Sequence, residues 1–105
     1  MYFTNSRKWE GMILPTLFKL GNYRIFFWSN ENDEPIHIHI CMGVPTENTT
    51  KIWLTRNGGF ILANNNSKIP KNDLNNIMKT LPIHYYFICN KWKVFFGIND
   101  LSFFC

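Results

Sequence analysis

From Ile36 to Met42 the chain reads Ile-His-Ile-His-Ile-Cys-Met, a period of two that marks a β-strand with two unlike faces. Other short apolar runs surround it. Leu14–Leu20 is apolar-rich and ends at Gly21-Asn22, a turn signal. The aromatic and β-branched run Tyr23–Trp28 that follows predicts the second arm of a hairpin. Lys51–Leu54 and Phe60–Ala63 predict two more strands, with Asn57-Gly58-Gly59 able to supply positive φ at the reversal between them.

After the polar stretch Asn64–Ser67 the period changes. Pro70 suits a first helical turn, and Leu74, Ile77, Met78 and Leu81 then fall at i, i+3, i+4 and i+7, a single apolar stripe. Pro82 breaks this run and can begin a second helix, in which Ile88, Trp92 and Phe95 form a stripe widened by Ile83 and Phe87; Gly97 ends it. Strands followed by helices predict an α+β fold: a small antiparallel sheet of four to five strands with two C-terminal helices packed on it. The organisation expected is an N-terminal extension over 1–13, a single α+β domain over 14–97 and an apolar tail over 98–105. There is no internal repeat.

Length and composition narrow the options. A chain of 105 residues is one domain. Ten Phe, four Trp and four Tyr can build a core from few large side chains and leave apolar surface for a partner. The net charge of +4 is spread along the chain, densest at Arg7-Lys8 and Lys91-Trp92-Lys93, and so lacks the clustering of a dedicated nucleic-acid binder. No run is long enough to span a bilayer, and the opening residues contain no secretory core. With three widely spaced cysteines and no Cys-x-x-Cys, a reducing, cytoplasmic location with free thiols is expected. The abundance of Asn, Ile and Lys points to an AT-rich coding sequence, as in a low-GC bacterium or its mobile elements.

The chemistry on offer centres on two of the three histidines. In a strand, His37 and His39 project from the same face, roughly 6.5–7 Å apart along the chain. Two imidazoles there could bind one metal ion if a third ligand arrived from elsewhere; Glu31, Asp33 and Glu34 lie just upstream, and Cys41 continues the face. No downstream Cys-x-x-Cys, His-x-x-x-His or His-x-x-Glu completes the set. The reading preferred on pattern alone turns Ile36, Ile38 and Ile40 to the core and the histidines to a groove, a partner or solvent. No cofactor is expected on that reading. Gly58-Gly59 lacks a phosphate-loop frame, and no Ser/His/Asp arrangement is present.

The run LPTLFKLGNYRIFFWSNENDEPIHIHI resembles the opening of the small bacterial domain-of-unknown-function family 4160. Pro15-Thr16-Leu17, Gly21, Arg24–Phe27, Asn32-Asp33, Pro35, His37 and His39 fall in the family's order. Lys51–Leu54 resembles its next strand, and Ile69-Pro70, Leu74 and Ile77–Trp92 resemble its closing helices. Ile36 stands where the family has a second proline, and Cys41-Met42 where many members carry an acidic residue. The resemblance covers about Leu14 to Gly97. The family has no general activity, and its members tend to be encoded beside small partner genes in toxin–antitoxin-like arrangements, which implies an interaction role.

The function expected is therefore a small non-catalytic interaction protein of a bacterial conflict or mobile-element system. It would be a steric inhibitor or antitoxin-like binder, anti-CRISPR-like in style, of a nuclease or toxin. Trp9, Trp28, Trp53 and Trp92 would act as anchors, with Arg24, Arg56, Lys91 and Lys93 around them. The alternatives are a metal-assisted hydrolase or nuclease using His37 and His39, or a weak RNA- or DNA-binding module. A homodimer is compatible with all three, and no membrane partner is expected.

Overall fold

The computed structural model describes residues 16–29, 31 and 33–105. Five strands, β1 (Thr16–Leu20), β2 (Tyr23–Phe26), β3 (His37–Met42), β4 (Thr50–Leu54) and β5 (Phe60–Asn65), form one antiparallel sheet in sequential order. Two helices follow, α1 (Lys71–Thr80) and α2 (Tyr85–Phe96), joined without a break by a 3₁₀ turn over Leu81–His84. The class is α+β, with Lys71–Phe96 running as one helical segment. Pro82 explains the 3₁₀ turn: it has no N–H to donate, so it sits at the first positions of a new turn instead of continuing α1.

The hairpin turns follow from local chemistry. Leu20 pairs with Tyr23 across Gly21, which adopts φ +60°. Gly58 takes φ +91° in the β4–β5 turn. Both are left-handed conformations that cost glycine no Cβ clash.

The sheet has two working faces. On one, Ile25, Ile38, Ile40, Ile52 and Leu54 are completely buried against Ile77, Leu81, Ile88 and Trp92 of the helical segment. Removing each isoleucine side chain from water is worth about 1.5–3 kcal/mol, so this layer carries most of the stabilisation. The residues 98–105 also lie on the body of the protein. Leu101 and Phe103 pack against the core, Ile36 donates its N–H to the Ser102 carbonyl at 2.8 Å, and Phe104 stacks on Trp53 with 4.9 Å between centroids.

The opposite face is unlike. Cross-strand register places Phe26, His39, Lys51 and Asn64 side by side on four neighbouring strands. Glu31, between β2 and β3, reaches this row with its carboxylate. Phe26, Trp28 and Cys41 form a separate small buried cluster beside the histidines. Hence β3 is buried on both sides: His37 is 0% exposed and His39 6%. The histidines do not face solvent.

Candidate metal centre

Alternation along β3 puts His37 and His39 on one face, and their rings pack edge to face at 5.0 Å. Around them the walls are aromatic. His37 lies against Trp53 and Trp92 at 5.4 and 5.3 Å, and His39 stacks on Phe26 at 5.6 Å. Into this apolar enclosure comes one carboxylate. Glu31, 6% exposed, is positioned by the Trp28 backbone N–H, which donates to its Oε1 at 3.1 Å. His39 Nε2 lies 2.9 and 3.0 Å from the two Glu31 oxygens, and His37 Nε2 lies 3.0 Å from Oε1.

The outer nitrogens are anchored as well. His37 Nδ1 donates to the Pro35 carbonyl at 2.8 Å, and His39 Nδ1 sits 2.9 Å from the Thr49 hydroxyl. A carbonyl oxygen can only accept, so His37 carries its proton on Nδ1 and, when neutral, presents a lone pair from Nε2. That Nε2 is fully buried and has no hydrogen-bond partner among the described residues despite its proximity to Glu31. A lone pair and a carboxylate oxygen at this separation repel unless a cation lies between them. The Thr49 hydroxyl can donate or accept, so His39 is free to turn its own Nε2 lone pair inward too.

Electrostatics fit an ionised carboxylate between imidazoles. Burial alone would raise the Glu31 carboxyl, but the two imidazoles beside it, His39 through its hydrogen bond, outweigh burial and hold the group well below the usual carboxylate range. Burial pushes His39 toward its neutral form; the Glu31 carboxylate opposes this, and the charge of Lys51 adds to it.

Glu31, His37 and His39 each offer a donor atom, all within 4.8 Å of one another, the single such group of three among the described residues. A tetrahedral ion with metal–nitrogen distances of about 2.0–2.1 Å holds its ligands about 3.4 Å apart, so a small outward rotation would admit one. Two histidines and a carboxylate suit zinc or non-haem iron, and nitrogens whose far sides are tied to oxygen acceptors are the usual supporting shell. Beside the group opens a polar cavity of about 190 Å³, reached past His39 and lined also by Glu34, Glu47, Lys51, Asn64 and Asn66.

Among the candidate third ligands, Glu31 joins the histidines. Glu34 is instead paired with Lys51 at 2.6 Å, Cys41 sits with Phe26 and Trp28, and Asp33 lies outside the group. Thr49 carried no sequence signal, because its role arises only when the loop before β4 folds beside β3.

The proposed anchors fare differently. Trp28 is 4% exposed and Trp92 1%; both are buried, Trp92 in the core beneath the helices and Trp28 beside the polar cavity. Trp53 is half-buried under Phe104, and Trp9 lies outside the described residues. The basic residues do not form one patch: Arg24 is paired across the sheet with Lys19 and Cys41, Lys91 lies over Phe87, and Arg56 and Lys93 share a cleft. No helix among the described residues is long and apolar enough to cross a membrane.

No curated protein and no solved structure matches the chain. A family model does match, the domain of unknown function DUF4160, over residues 22–93. That span holds Glu31, both histidines, Thr49 and all but the last turn of the helical segment, and the chain therefore belongs to the DUF4160 family.

Proposed function

We propose that the protein is a metalloprotein in which Glu31, His37 and His39 hold one divalent transition-metal ion for hydrolysis of a substrate in the adjoining polar cavity. The observation that carries this is the fully buried His37 Nε2, without a hydrogen bond among the described residues although it lies 3.0 Å from a Glu31 carboxylate oxygen. Three protein ligands next to an open polar space are the pattern of catalytic rather than structural zinc sites. A bound ion would supply a water whose pKa falls to about 7. The chain's own residues would hold the geometry: Pro35 and Thr49 orient the imidazoles, and the Lys51–Glu34 pair presents a cation and a base at the cavity rim. This reading departs from a cofactor-free binder.

Metal analysis of purified protein tests it. One equivalent of zinc, iron or manganese, or one equivalent of cobalt with tetrahedral absorption after reconstitution, is expected. Glu31→Gln and His39→Gln should abolish stoichiometric binding, and Thr49→Val should weaken it about 10–100-fold. Substoichiometric metal with all four ions, and no rise in melting temperature on adding them, would discard the proposal. If metal binds but no ester, phosphodiester or peptide reporter is cleaved, the ion is structural and the hydrolytic part fails alone.

A second reading is supported by another observation. Ile83 and Val94 are 82% and 80% exposed, and Phe87 is partly so. These three follow one side of the helical segment, and Phe87 and Val94 border an apolar groove that Leu17 lines from β1. Such a face fits the antitoxin-like or inhibitory partner role, in a reducing cytoplasm that three free cysteines favour. Val94→Glu should abolish binding of a protein encoded beside this chain, measured by co-purification of the pair; unchanged co-purification would remove this face from consideration.

A further inference from the structure

A second concave site lies between the β4–β5 turn and the outer side of α2, where nothing in the metal reading places a role. Arg56 and Asn57 form one wall. Tyr86, Asn90 and Lys93, at i, i+4 and i+7 of one helix face, form the other, around a cavity of about 340 Å³. Among the described residues no acidic side chain lines it, and neither Arg56 nor Lys93 belongs to an ion pair. The Arg56 guanidinium is held 5.0 Å above the Phe103 ring, which leaves its donors free while limiting its motion. Tyr86 is 79% exposed.

We infer that this cleft binds single-stranded nucleic acid. Two cations that line one cleft and have no ion-pair partner among the described residues suit a phosphate backbone. An exposed aromatic ring in the same cleft, Tyr86, offers a stacking platform for a base of any identity. The amides of Asn57 and Asn90 both donate and accept, as the edges of unpaired bases require. A duplex conceals its base faces, so a ring that binds by stacking on them selects against it. The cleft does not rest on the metal site, and it is tested with the metal removed.

The experiment is fluorescence anisotropy of the full chain in EDTA with labelled twelve-nucleotide oligo(U) and oligo(dT). With two phosphates neutralised and a slope of about −0.7 per phosphate for single strands, affinity should fall about sevenfold between 50 and 200 mM salt. Tyr86→Ala should weaken binding about fivefold or more. The pair Arg56→Gln/Lys93→Gln should flatten the salt dependence, while Lys71→Gln, on the exposed start of α1, should change neither. All four side chains lie at least partly in solvent, and circular dichroism verifies that each variant folds. Absence of saturable binding at 50 mM salt, equal affinity for duplex, or no effect of Tyr86→Ala and Arg56→Gln/Lys93→Gln would each overturn the inference.

Discussion

At the scale of single residues, Glu31 does what sequence could only list. Four side chains near the histidines could have supplied a third ligand, and spacing did not separate them. The choice falls to Glu31 because the Trp28 N–H turns its carboxylate inward and Lys51 draws Glu34 away. Its ionised state has a pH consequence. Both Glu31 and His39 are lowered in the folded protein. The unfolded chain therefore binds protons that the native state refuses, and stability rises with pH. For metal-free protein, melting temperature should begin to fall below about pH 6.5, where unfolded histidine charges, and fall again below about 4.3 as unfolded glutamate takes its proton. The combined loss should be on the order of 1–3 kcal/mol. Thermal melts across this range check it, and Glu31→Gln should flatten the lower arm. A midpoint unchanged from pH 8 to 5 would contradict a neutral His39.

At the scale of elements, period was legible and burial was not. Alternation in β3 gave the strand and the shared face of the histidines. It could not show that residues between β2 and β3 would cover that face, because a polar, acidic segment reads as solvated loop. The tryptophans illustrate the same gap. Trp92 sits on the expected helical stripe, and its 1% exposure follows from that stripe facing the sheet; Trp28 is enclosed beside Phe26, at 5.2 Å, and Cys41 in a second small cluster that the periods do not announce. Helix ends were better marked. Gly97 caps α2 at φ +65°, its N–H reaching the Lys93 and Val94 carbonyls. An added Cβ would meet nothing within 4 Å, so Gly97→Ala isolates the backbone term. It should destabilise by about 1–2 kcal/mol in chemical denaturation. A neutral result would mean that the cap relaxes into another conformation.

Across the whole molecule, the sheet divides labour. One face carries an isoleucine layer roofed by helices and supplies stability; the other spends buried area on a histidine–carboxylate group that contributes less to folding than an apolar patch of equal size would. The α+β class could be read because strand and helix periods occupy separate halves of the chain. The cationic cleft could not, since Arg56 and Lys93 are 37 positions apart in sequence and meet only when α2 lies beside the β4–β5 turn.

The bond from the Ile36 N–H to the Ser102 carbonyl has a practical side. Ile36 directly follows Pro35, whose oxygen fixes the tautomer of His37. Lifting residues 98–105 from the sheet would therefore release the peptide next to the one that orients an imidazole, so whatever dislodges this segment also loosens the centre.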